Sequence, residues 1–149
     1  MDMDAVIYHK RKTQNHHPMV IRRFMELNLL DVAEKYFPRS EWSWRIIKSR
    51  QRSFTVTVAA VRVHSKIIRF STALLRFEGW FSAITCVPME DARQYTLHTL
   101  LHEFAHYTLF KAGRPYGHTA EFWTVLDQLS RAENCKFTQM RCGHVIERG

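Results

Sequence analysis

Between residues 18 and 133 the spacing of apolar side chains changes twice, and those changes restrict the chain to a mixed architecture. In "PMVIRRFMELNLLDVAEKYF", Val20, Phe24, Leu27, Leu30, Ala33 and Phe37 recur at steps of three and four, which lines them up on one helical face. Pro18 suits a first helical turn, where a missing N–H leaves no bond unmade, and Pro38 stops the run. Asn28 is where this helix would divide into two pieces. From Trp42 to Ser71 the period falls to two. Phe54, Val56 and Val58 alternate with Thr55 and Thr57, and "WSWRII" and "KIIRFS" are rich in β-branched and aromatic residues, a strand signature. The polar connections "KSRQR" and "HS" predict a three-stranded, mostly antiparallel sheet. Helical spacing then returns. Pro88, Glu90 and Asp91 mark a start with acids near the positive end of the helix dipole; the helix runs to about Lys111, and Gly113 stops it. A last helix covers about Thr119–Glu133, with Phe122, Val125, Leu126 and Leu129 on its apolar face. "TALLRFEGWFSAITCVP" keeps no single period and reads as loop with short helical or extended pieces. The tail "NCKFTQMRCGHVIERG" reads as irregular or a short strand. The expected fold class is therefore α+β: an N-terminal helix, the sheet, and two C-terminal helices. A length of 149 residues suits one domain, over 18–149, after a flexible basic arm at 1–17. His9, His16 and His17 fall in that arm and are not expected to be ligands.

The penultimate helix carries the chemistry. "LLHEFAHYTLF" places His102, Glu103 and His106 in a HExxH spacing. At about 100° per residue, His102 and His106 lie roughly 40° apart on one face and can reach one ion. Glu103 projects from an adjacent side, where it can reach a water on that ion. Leu97, Leu100, Leu101, Phe104, Ala105 and Thr108 occupy the opposite arc, so the helix can pack through its back. A catalytic zinc takes three protein ligands and keeps one open position. The ion acidifies water and polarises a carbonyl, and Glu103 would serve as the base. The third ligand does not follow the HExxHxxGxxH pattern, because Leu109 and Ala112 stand where its glycine and histidine would be. Glu121 or Glu133 could serve from the following helix. His118 is the better choice, since it lies just past the turn "KAGRPYG" at the start of that helix. His98, one turn before His102, faces the ligand side but is more often a packed residue. Glu121, three residues after His118, is a candidate to orient a ligand histidine. Phe122 and Trp123 read as core.

"HEFAH" followed by "GH" and "EFW", with "KIIRFSTALL" and "TLLHEFAH" upstream, resembles the SprT-like metalloprotease domain, the group that includes bacterial SprT and the Spartan proteases. The resemblance covers about Lys66–Leu129. It implies a compact zincin-like core, with His102, His106 and His118 holding one Zn2+ per chain and Glu103 as catalytic base. It further implies hydrolysis of peptide bonds in proteins attached to DNA.

The charge distribution bears on the partner. The formal net charge is +8; residues 1–70 carry 14 Lys/Arg against 6 Asp/Glu, and residues 71–149 carry 8 of each. A basic half suggests a polyanion, most often nucleic acid. In "WSWRIIKSRQRSF", Trp42, Trp44 and Phe54 are interleaved with Arg45, Lys48, Arg50 and Arg52. Aromatic rings beside cations are the chemistry of single-strand contact, although strand tryptophans are as readily core. These four cations are the candidate contacts to single-stranded or junction-like DNA. The competing reading is a zinc-stabilised nucleic-acid-binding module without protease activity; a third is a hydrolase of RNA on the same three histidines. Cys86, Cys135 and Cys142 are few and odd in number, which argues for a reducing compartment. Cys135, Cys142 and His144 lack a paired CxxC and do not make a convincing second zinc site. No apolar run approaches the roughly 18 residues of a membrane span, and the N-terminus lacks an apolar signal core. The expectation is a monomeric cytoplasmic protein, nuclear if its source is eukaryotic.

Overall fold

The computed structural model describes residues 15–49, 57–139 and 145–147. The chain divides between Arg76 and Phe77 into two compact units. The first contains α1 (Pro18–Glu26), α2 (Leu30–Tyr36), β1 (Ser43–Ile47), β2 (Ala59–Arg62), β3 (Ile67–Ser71) and α3 (Thr72–Arg76). Asn28 does divide the N-terminal helix. Its φ is 56°, in the left-handed region that asparagine tolerates better than most residues. Asn28 N–H donates to the Met25 carbonyl at 3.1 Å and Leu29 N–H to the Phe24 carbonyl at 2.8 Å, the paired bonds of a Schellman ending. His16 and His17 belong to the fold and not to a free arm. His17 Nδ1 caps α1 by accepting from Met19 N–H at 3.1 Å, and His16 Nδ1 accepts from Trp44 N–H at 3.3 Å. The rest of the expected arm, residues 1–14, lies outside the described residues.

The sheet order is β1-β3-β2, with β1 parallel to β3 and β2 antiparallel to it. The sheet is thus mixed rather than mostly antiparallel. The "HS" turn does join β2 and β3 as a hairpin. The connection from β1 to β2, by contrast, is too long for a tight turn, and β2 docks on the far side of β3. Phe54 and Val56 lie outside the described residues, and β2 begins only at Ala59. In register, Trp44 is opposite Ile68 and Ile46 opposite Phe70. This face meets α1, where Phe24 lies edge-on to Phe70 at 5.0 Å and tilted on Trp44 at 5.7 Å. Trp42 and Trp44 are both 1% exposed, and Trp44 Nε1–H donates to the Phe37 carbonyl at 2.9 Å. Both rings are core and cannot stack on bases.

The second unit contains α4 (Gly79–Thr85), α5 (Ala92–Lys111), α6 (Ala120–Ala132) and an antiparallel pair, β4 (Phe137–Gln139) and β5 (Val145–Glu147). A 3-10 turn at Met89–Asp91 leads into α5. The segment without a clear period thus forms two short helices, one ending each side of the boundary between units. Leu97, Leu100, Leu101 and Ala105 form the buried back of α5 as expected, but Phe104 and Thr108 are only half-buried. The first half of α5 is enclosed on more than one side: the Tyr95 ring lies 5.7 Å from Phe77, 6.1 Å from Phe81 and 6.3 Å from Phe137. Lys136 fastens the end of the unit to the start of α5, with its ammonium 2.6 Å from Asp91 and its N–H donating to Gln94 at 2.9 Å. No helix among the described residues is long and apolar enough to cross a membrane.

Candidate metal centre

Helix α5 stacks His102 and His106 one turn apart, with ring centroids at 5.0 Å and Nε2 atoms at 3.3 Å. The helix ends on a second Schellman turn. Gly113 has a φ of 69°, Gly113 N–H donates to the Phe110 carbonyl at 3.0 Å and Arg114 N–H to the Leu109 carbonyl at 2.9 Å. That reversal returns the chain so that His118 Nε2 stands 3.2 Å from His102 Nε2. The three histidines could hold a metal ion, with their ligand atoms all within 4.8 Å of one another. Tetrahedral coordination with metal–nitrogen bonds of about 2.0–2.1 Å separates ligand nitrogens by about 3.3–3.4 Å. Both measured Nε2 separations match that edge. His102 and His106 are half-buried and His118 is exposed, so one side of the trio faces solvent.

The surroundings hold the His106 ring in its ligating form and pack against the other two. His106 Nδ1 meets the Tyr116 carbonyl; a carbonyl only accepts, so Nδ1 carries the proton and Nε2 is left with its lone pair. Burial pushes the His106 pKa down, the Tyr116 bond opposes this, and the neighbouring His118 adds to the lowering. The neutral ring is therefore favoured at neutral pH. Phe122, fully buried, stacks on His106 at 4.4 Å and lies 4.9 Å from His102 and 5.0 Å from His118. Trp123 stacks on His118 at 5.4 Å. Phe122 is core as expected, and its further role beneath the trio was signalled only by its place one turn after His118. Thr119 caps α6, its hydroxyl accepting from Phe122 N–H at 3.2 Å.

Glu103 is 6% exposed, on α5 immediately after the first ligand. His98 is 2% exposed, and its ring lies 6.5 Å from Tyr95 and 6.4 Å from His102. It is packed inside the unit and not presented on the open side. Glu121 does not orient a histidine. Arg114 reaches both of its oxygens, at 3.1 and 2.7 Å, because the Gly113 turn brings Arg114 over the start of α6. Neither Glu121 nor Glu133 joins the metal-holding group among the described residues.

No family model matches the chain, and no curated protein or solved structure matches it. Function must be read from the chemistry of these side chains.

The remaining candidates lie apart from the trio in sequence. Arg45 sits on β1 and Lys48 just beyond it, while Arg50 and Arg52 fall outside the described residues. Cys135 is buried, with its thiol 3.7 Å from the Gln94 carbonyl; Cys142 and His144 also fall outside the described residues.

Proposed function

We propose that this chain is a zinc-dependent metallopeptidase of the SprT-like kind, acting on DNA-associated proteins. The observation that carries the reading is the trio itself: three imidazoles with ligand atoms within 4.8 Å of one another, His102 standing at tetrahedral-edge spacing from both of the others, with a buried glutamate directly after the first of them. Nitrogen ligands in tetrahedral array favour zinc among the common biological cations. A structural zinc site closes with four protein ligands, whereas three ligands with an exposed side leave a place for water and substrate. A bound zinc ion supplies Lewis acidity, which polarises a peptide carbonyl and lowers the pKa of water. The chain's own part falls to four side chains. His102, His106 and His118 turn their Nε2 atoms inward, all three rings braced by Phe122 and His118 also by Trp123. Glu103 takes the proton of the attacking water and delivers it to the leaving amine. The basic excess in residues 1–70 supports a substrate that travels with DNA.

Metal content measured alongside casein cleavage tests this. One zinc per chain and chelator-sensitive cleavage are expected. Glu103→Gln keeps the side-chain shape and removes the base, so zinc is retained while cleavage falls by about 100-fold or more. Undiminished cleavage in Glu103→Gln would discard the peptidase mechanism.

A further inference from the structure

The connection that carries His118 also leaves an aromatic ring in solvent beside the trio. Tyr116 is 42% exposed, and among the described residues it is the one aromatic member of the exposed large apolar side chains. Its carbonyl faces His106 Nδ1, so the backbone that aims this ring is held by the metal site itself. The ring rests edge-on to Phe110, with centroids 5.5 Å apart and planes at 90°. Phe110 is half-buried and stands one turn beyond His106 on α5, continuing the row of His102 and His106. Tyr107, buried, stacks on Phe110 at 6.2 Å. Phe110 and Tyr116 thus make a right-angled apolar corner next to the exposed side of the histidines. Charge is kept out of it. Between Ala112 and Ala120 the one charged residue is Arg114, and two of its nitrogens hold Glu121. The Lys111 ammonium lies over the Tyr107 ring at 5.6 Å.

We propose that Phe110 and Tyr116 form the subsite that selects the substrate, receiving a large apolar side chain, of the leucine or phenylalanine class, from the residue beside the scissile bond. The inference rests on the metallopeptidase reading and adds the substrate class to it. An extended peptide advances about 3.3 Å per residue, and one helical turn separates Phe110 from His106 by about 5.4 Å. A side chain next to a carbonyl at the trio therefore reaches the corner. An acidic or basic side chain entering there gives up water with no counter-charge to replace it. An apolar one covers ring surface that otherwise faces solvent. Two rings at a right angle present a face and an edge, against both of which a third ring packs favourably. One wall is fixed by α5 and the other by the Tyr116 carbonyl, so the corner is formed before substrate arrives, as small-molecule sites usually are.

Calorimetric titration of the zinc-loaded full chain with the hydroxamates of N-acetylated phenylalanine, leucine, alanine and glutamate tests it. Each probe chelates the ion in the same way and carries its side chain beside the chelating group. The phenylalanine and leucine probes are expected to bind at least about tenfold tighter than the alanine probe, and the glutamate probe no tighter than alanine. Tyr116→Ala removes the ring and keeps a backbone carbonyl at that position. It is expected to bring the phenylalanine and alanine probes together, with zinc content measured alongside. If that variant loses zinc, Phe110→Gln carries the same expectation and leaves the connection intact. Equal affinities for all four probes in the parent would overturn the proposal, as would a preference that survives both ring replacements. Tightest binding of the glutamate probe would overturn it in favour of an acidic substrate. Failure of the peptidase reading looks different: a side-chain preference without peptide cleavage discards that reading and leaves the subsite standing, whereas cleavage with indifferent probes does the reverse. A chain that takes up no zinc removes both.

Discussion

His118 completes the trio, and its replacement separates a metal site from a chance cluster. Outer partners of metal ligands typically contribute 10- to 100-fold to affinity, so losing a ligand should exceed that range. His118→Ala is expected to lower zinc affinity by more than about 100-fold in a competition titration with a chromophoric chelator, with the helical circular dichroism retained. At the other end of the chain, His16 makes the first unit sensitive to acid. Burial, then the Arg39 charge, hold its pKa below the usual imidazole range, against weaker opposing effects from Glu34 and the Arg39 backbone. An unfolded histidine takes its proton near pH 6.5. The folded one resists until the pH is lower, so the unfolded state binds more protons across that interval and stability drops as the pH is lowered through it. The contribution is complete above about pH 6.5 and is lost on acidification. Melting temperatures measured from pH 7.5 to 5 should fall less steeply in His16→Gln than in the parent. Residues linked through local spacing were legible in the sequence. His102 and His106 declare themselves because i and i+4 share a helical face. The Tyr116 carbonyl that orients His106 does not, because a backbone oxygen leaves no trace in residue identity. The Arg114–Glu121 pair was hidden for a related reason, since it forms only after the Gly113 turn.

The element that governs the site is the connection from Gly113 to Thr119. It ends α5, supplies the Tyr116 carbonyl to one ligand, carries a second ligand and caps α6. Thr119→Ala removes the hydroxyl that receives Phe122 N–H and should cost about 1 kcal/mol of stability. His118 immediately precedes the cap, so the same change should also weaken zinc binding, measurable in the same chelator competition. Unchanged affinity would mean that α5 and the turn alone place His118. At this scale the helices were readable, because their starts and stops carry chemical signatures: Pro18, the acids at 90 and 91, Gly113, and even the division at Asn28. Strand direction was not. Alternation assigns faces to a strand but says nothing of its neighbour, and the parallel pairing of β1 with β3 followed from a connection whose length carried no pattern. Trp42 and Trp44, interleaved with cations in sequence, turned inward because burying two indoles outweighs any surface role in the free protein.

Across the whole molecule, the two units divide the chemistry as the charge divides the sequence. The basic excess belongs to residues 1–70, while the histidine trio belongs to the unit that begins at Phe77. The α+β class was legible from the two changes of period alone; the boundary at Arg76 was not, since "TALLRFEGW" has neither the glycine nor the proline density of a linker. One consequence of the His102–His118 approach concerns chain entropy. Those residues are 16 apart in sequence, and an ion gripping both would act as a reversible cross-link across the connection between them. A covalent bridge over that span would restrict the unfolded ensemble by about 3 kcal/mol in the chain-entropy model; an ion held only by the folded state leaves the unfolded chain free and stabilises through binding alone. A zinc ion bound only to the folded state would stabilise it further as its free concentration rises. Stripping the metal should therefore lower the melting temperature of the parent, and restoring zinc should recover it, while His118→Ala melts at one temperature under both conditions. The turn between α5 and α6 would then be the first segment cut when the stripped protein meets a protease, and the last when it is loaded.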